Sequence, residues 1–168
     1  MSGSTVRACV IASTLSRSHL TREPGLDSEV FRAPLDADWQ EAWRVTEGLI
    51  VEMRNEVKAK GARFLVVTGS KGIQVSPDAA QRAEYMKLLG VDTLFYPEQR
   101  IKALGEREGF EVLTLAPALL DYATRSQTFL HGSGDARGRG HWNETGHRIV
   151  GGLIAEKLCE GIAPQDKD

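Results

Sequence analysis

The run Phe64-Leu65-Val66-Val67 is continuously apolar and lies between two stretches of helical periodicity. A strand of that kind is covered on both faces, which parallel sheets built from crossover units provide. The neighbouring segments supply the covering helices. Asp38 followed by Glu41 has the form of a capping box. Trp39, Ala42, Trp43, Leu49, Ile50, Met53 and Val57 then recur at three- and four-residue spacing, with Gly61 as the stop. Ser76-Pro77-Asp78 reads as a second helix start, Ser76 capping and Pro77 in the first helical position, and Gly90 closes that helix. Pro97 opens a third, with Ile101 and Leu104 inward, ending near Gly109. Phe110 to Leu115 reads as the next strand, Val91 to Phe95 as another short one, and Pro117 to about Arg125 as a short helix. Asn143 caps a last helix whose inner face is Ile149, Val150, Leu153, Ile154 and Leu158. Thr5 to Ala12 is β-branched and apolar enough for a short first strand.

This alternation predicts an α/β domain, a parallel sheet with helices on both faces. It divides the chain into residues 1–35, a short strand followed by a loop or linker, a domain over 36–162, and a polar tail over 163–168. At 168 residues, with 41% hydrophobic and 26% charged residues, the chain is long enough to bury a core. Lys and Arg number 21 against 23 Asp and Glu, which argues against a nucleic-acid partner. No apolar run approaches a membrane span. The apolar stretch near the N-terminus, interrupted by Arg7, is too short for a secretory signal, so a chain starting at Met1 is expected in the cytoplasm. Cys9 and Cys159 read as buried or half-buried thiols, and the sequence leaves a bridge between them open.

Loops beyond the carboxyl ends of parallel strands are where such folds place their chemistry. Three of the four histidines, His131, His141 and His147, fall in one Gly-rich segment with Asp135, Asn143 and Glu144. His141, just before a helix, suits a general base that takes a proton from a hydroxyl nucleophile. A metal site on the three histidines matches no standard zinc spacing, and no metal is expected. Polar loop residues without a task are the third reading of the same segment. Asn143 reads as a helix cap, Trp142 as packing under the loop or walling a cleft, and His147 as a surface or packing residue. Thr68-Gly69-Ser70-Lys71-Gly72 is neither a phosphate-binding loop nor a nucleophile elbow. It reads as a turn lining the cleft, where Ser70 could meet a substrate. No dinucleotide fingerprint is present, and no cofactor is expected.

Gly140-His141-Trp142-Asn143-Glu144-Thr145-Gly146-His147, followed by an amphipathic helix, resembles the last conserved block of the SGNH/GDSL hydrolase superfamily. There a catalytic His precedes an Asn and a Gly that open the C-terminal helix. The order of the preceding elements, with Tyr96-Pro97-Glu98 and Arg100, agrees with it over roughly residues 36–160. The resemblance implies a three-layer flavodoxin-like fold and a serine ester hydrolase, with esterase, lipase or deacetylase chemistry on a small-molecule or carbohydrate ester. His141 would be the general base. Two departures stand out. No Gly-Asp-Ser block is present, and Ala12-Ser13-Thr14-Leu15 does not replace it. The Asp usual three residues before the His is Gly138 here, which leaves Asp135 as a candidate orienting acid. The chain therefore reads as the C-terminal portion of such an enzyme, expected to lack esterase activity by itself. The alternative is a non-catalytic flavodoxin-like domain that binds carbohydrate or protein.

Overall fold

The computed structural model describes residues 28–160. The proposed first strand over 5–12, Cys9 and the polar tail lie outside them. Within that range the chain is mixed α/β: five helices and a parallel pair of strands. A 3-10 turn, Ser28–Phe31, leads into α1 (Ala37–Ala59), β1 (Leu65–Thr68), α2 (Ala79–Leu89), α3 (Tyr96–Glu108), β2 (Glu111–Thr114), α4 (Leu115–Ser126) and α5 (Glu144–Glu160). The register pairs Leu65 with Glu111 and Thr68 with Thr114.

Local chemistry sets most of these boundaries. The cap of α1 is Asp36 rather than Asp38: the Asp36 carboxylate accepts from the Trp39 N–H, and Asp38 lies within the first turn. Pro97 lies in the first turn of α3, and Gly109, at φ +72°, ends that helix in the left-handed conformation. The start of α2 departs from the sequence reading. Asp78 is its cap, because its carboxylate takes both the Ala80 and Gln81 N–H groups. The Ser76 hydroxyl instead donates to the Gln81 side chain. The strand expected over 91–95 is absent. Leu94 and Val91 turn inward onto Phe31 and Leu89, and the Thr93 hydroxyl accepts from the Phe95 N–H, which bends the chain into α3.

The main core gathers Val75, Leu115, Ala116, Leu119, Ala123, Leu130 and Val150 between α4, α5 and the carboxyl side of β1. Leu115 and Leu119 are fully buried, and each such leucine contributes about 1.5–3 kcal/mol of transfer free energy. A satellite cluster of Phe31, Leu89 and Leu94 makes the 3-10 turn part of the folded domain. On the other side, α1 meets α3 through Trp43, which stands edge-on to Tyr96 and beneath the Arg100 guanidinium at 4.7 Å. Glu47 and Glu108 pair with Arg100 and Arg54 across the same joint.

Three sequence expectations are corrected. Leu49 and Met53, expected inward, are 60% and 51% exposed, because among the described residues α1 is covered mainly along its Trp43 side. Leu158 is exposed on α5 for the same reason: the α4–α5 contact covers Val150 and its neighbours but not the last turn. Cys159, in that turn, is exposed rather than half-buried.

Two glycines test this packing from opposite sides. A Cβ on Gly105 would lie 2.5 Å from Val112 Cγ2 and 2.8 Å from the Phe110 carbonyl oxygen, so α3 approaches β2 only because the position is glycine. Gly48, midway along α1, has open space around it. Urea denaturation should show Gly105→Ala destabilising by about 1–3 kcal/mol. Gly48→Ala should stabilise by about 0.5–1 kcal/mol. Equal effects would contradict this helix–strand contact.

Candidate functional site

Two segments meet beyond the carboxyl end of β1: the turn over 69–74 and the excursion over 131–142. The excursion is closed at its base by an antiparallel bridge between His131 and Trp142. The Gly132 N–H donates to the His141 carbonyl at 2.9 Å, and the Gly138 N–H to the His131 carbonyl at 2.8 Å. The Asn143 side chain then fixes the entry to α5. Its Oδ1 accepts from the Gly146 N–H at 3.0 Å, and its Nδ2 donates to the carbonyls of Phe129 and Gly132. This capping role is the one read from the sequence. Gly146 is needed because a Cβ there would lie 2.4 Å from the Leu130 carbonyl oxygen.

His131 clamps the two segments together. It is 1% exposed, and its Nε2 lies 3.0 Å from the Ser70 carbonyl oxygen. A carbonyl only accepts, so Nε2 carries the proton and donates. The Ser70 hydroxyl stands 3.5 Å from the same nitrogen and accepts from Trp142 Nε1 at 3.1 Å. With its proton on Nε2, His131 has no lone pair for the Ser70 hydroxyl, so the two are not arranged as base and nucleophile. The other ring nitrogen, Nδ1, is buried without a hydrogen-bond partner among the described residues. Trp142 fills the space between, half-buried, with His131 and His147 rings at 6.3 and 5.7 Å.

A second buried polar group braces the turn from below. The Gln74 side chain accepts from the Lys71 N–H at 2.6 Å and donates to the Leu94 carbonyl and to Glu98 Oε1. Glu98, in the first turn of α3, is 4% exposed, and its Oε2 has no partner among the described residues. Burial raises its pKa above the ordinary carboxylate range, opposed in part by the Gln74 hydrogen bond. Burial likewise lowers the pKa of His131, against the opposing effect of the Ser70 carbonyl.

The sequence candidates separate into two groups. Ser70, Trp142 and Asn143 come together around the base of the excursion. His141 and Asp135 lie out on the excursion, both exposed. No hydrogen bond or ion pair joins Asp135 to His141 among the described residues, and the Asp135 backbone carbonyl accepts instead from Arg139. The His141 side chain has no hydrogen bond or ion pair among the described residues. No group of three or more His, Cys, Asp or Glu converges as metal ligands among the described residues. His131, which sequence offered only as a metal ligand, and Glu98 are the buried ionisable groups. Each depends on a contact 24 or 61 residues away, which no local pattern signals. A concavity of about 540 Å³ lies on the α4–α5 side of the excursion, and His141 does not line it.

No family model, curated protein or solved structure matches the chain.

The two pKa shifts have opposite consequences for stability. A buried acid with a raised folded-state pKa binds more protons folded than unfolded, so stability falls as pH rises from the free-glutamate value, about 4.3. Glu98→Gln removes that penalty while keeping an oxygen for Gln74 to donate to. Its urea midpoint should match the parent near pH 4 and exceed it increasingly as pH rises; a constant offset would contradict burial of the charge. For His131 the folded-state pKa lies below the unfolded one. Its contribution is complete above about 6.5 and is lost as pH falls through the folded-state value. A side-chain NMR titration should show the His131 imidazole staying neutral below pH 6.5, and a midpoint at or above that value would contradict the clamp.

Proposed function

We propose that this chain carries the base-bearing part of an SGNH/GDSL-type serine ester hydrolase, a three-layer flavodoxin-like fold in which His141 is the general base. The observation that carries this reading is the placement of His141, unpartnered among the described residues, directly before the His131–Trp142 bridge and the Asn143 cap. The excursion that bears it stands beyond the carboxyl end of β1, tied there by Ser70. The Gly132–His141 backbone hydrogen bond fixes where the imidazole is attached, and its exposed ring is open to a hydroxyl from outside the described residues. The reading takes the nucleophile from outside residues 28–160, since Ser70 faces a protonated nitrogen. Asp135 orients His141 only if the excursion rearranges on substrate binding. The substrate class is a small-molecule or carbohydrate ester: the base removes the serine proton, the alkoxide attacks the carbonyl, and water resolves the acyl-enzyme.

One observation favours a second reading, a non-catalytic domain that binds carbohydrate or protein. His141 does not line the concavity of about 540 Å³ beside the excursion.

The protein expressed from its full reading frame should react with a fluorophosphonate probe and hydrolyse p-nitrophenyl acetate. His141→Ala should lower the rate by about 10²–10⁴-fold while leaving the thermal midpoint unchanged, since the side chain is exposed. No probe labelling, or a rate unaltered by the substitution, would overturn the hydrolase reading in favour of the binding domain.

A further inference from the structure

We propose that the depression of about 540 Å³ between the end of α4, residues 132–137 and the first turn of α5 is a subsite for a neutral, polyhydroxylated ring such as a pyranose. Its volume lies within the range of small-molecule sites, about 300–1,000 Å³. The lining joins half-buried Phe129 to polar side chains. Ser133, Arg137, Glu144 and Thr145 line the rest, and none of these four side chains has a hydrogen bond or ion pair within the described residues. Vicinal hydroxyls offer a donor and an acceptor side by side, which a carboxylate and a guanidinium fork bind in bidentate fashion.

The walls are held in place before any ligand arrives. The Asn143 side chain hydrogen-bonds Phe129 on one wall, Gly132 on the second and Gly146 in α5 on the third. Such preorganisation lowers the ordering cost of binding. The same atoms argue against other ligand classes. An anion at the start of α5 would find the Gly146 N–H taken by Asn143 and the Glu144 carboxylate close by. A purely apolar ligand would strip water from Arg137 and Glu144 without replacing it. The two opposite charges cancel, which suits a neutral ligand.

The subsite and the proposed base share one hinge, because Gly132 lines the depression and donates to the His141 carbonyl. The role as a holder of the sugar part of an ester rests on the hydrolase reading; the binding itself does not.

Titration of the ¹⁵N-labelled full chain with the methyl glycosides of glucose, galactose, mannose and N-acetylglucosamine tests the proposal. At least one should give saturable amide shifts at Gly132–Arg137 and Glu144–Thr145, while inorganic phosphate gives none there. Arg137→Ala and Glu144→Gln should each weaken that binding at least about tenfold, with spectra otherwise unchanged. The proposal is overturned if no glycoside gives saturable shifts, if the shifts centre elsewhere, if both variants bind as the parent does, or if phosphate occupies the site. Sugar binding in a protein whose ester hydrolysis ignores His141→Ala would retain the subsite and discard the hydrolase.

Discussion

His131 is buried where two distant stretches of chain meet, and its Nε2–H donates to the Ser70 carbonyl at 3.0 Å. Because a buried donor left unpaired costs about 1–3 kcal/mol, this contact and the turn that offers the carbonyl stand or fall together. Trp142, across the backbone bridge from His131, adds a second tie to Ser70 through its indole N–H. The excursion between them therefore leaves the domain and returns to it at one fixed point. His141 at its end and the walls of the α4–α5 depression inherit their positions from that point.

The turn is braced on its other side by Gln74 and Glu98, so it is held by two buried ionisable groups whose charged forms are both disfavoured. Neither group is a surface ornament. Each leaves one polar atom, His131 Nδ1 and Glu98 Oε2, without a partner among the described residues, a desolvation cost that the rest of the domain offsets. Hydrogen bonds that tie the turn and the excursion together are what a site on loops needs, since loops by themselves hold side chains less precisely than strands or helices do.

Much of this organisation was legible in the sequence where local chemistry decides it. Pro97 and Gly109 bracket α3, Asn143 caps α5, and the apolar run at 64–67 overlaps β1, although Val67 is exposed rather than covered among the described residues. The reading failed where two local signals competed or where tertiary contact decides. Ser76 and Asp78 both look like caps, and the carboxylate that reaches two N–H groups prevails. Val91 to Phe95 reads as a short strand, yet Val91 and Leu94 are drawn to Phe31 and Leu89. Leu49 and Met53 keep helical spacing with the inner face, but spacing does not say how wide the covering surface is. At the site, Ser70, Trp142 and Asn143 were recognisable as neighbours of chemistry. The burial of His131 and Glu98 was not, because it comes from elements that meet only in the fold.

The position of one proton tests the account most directly. Long-range ¹H–¹⁵N correlation of the His131 ring distinguishes its tautomers. The account predicts a proton on Nε2 and a bare Nδ1. A proton on Nδ1 would contradict it: Nε2 would then accept from the Ser70 hydroxyl, and the base–nucleophile pair would be His131 with Ser70 rather than one built on His141.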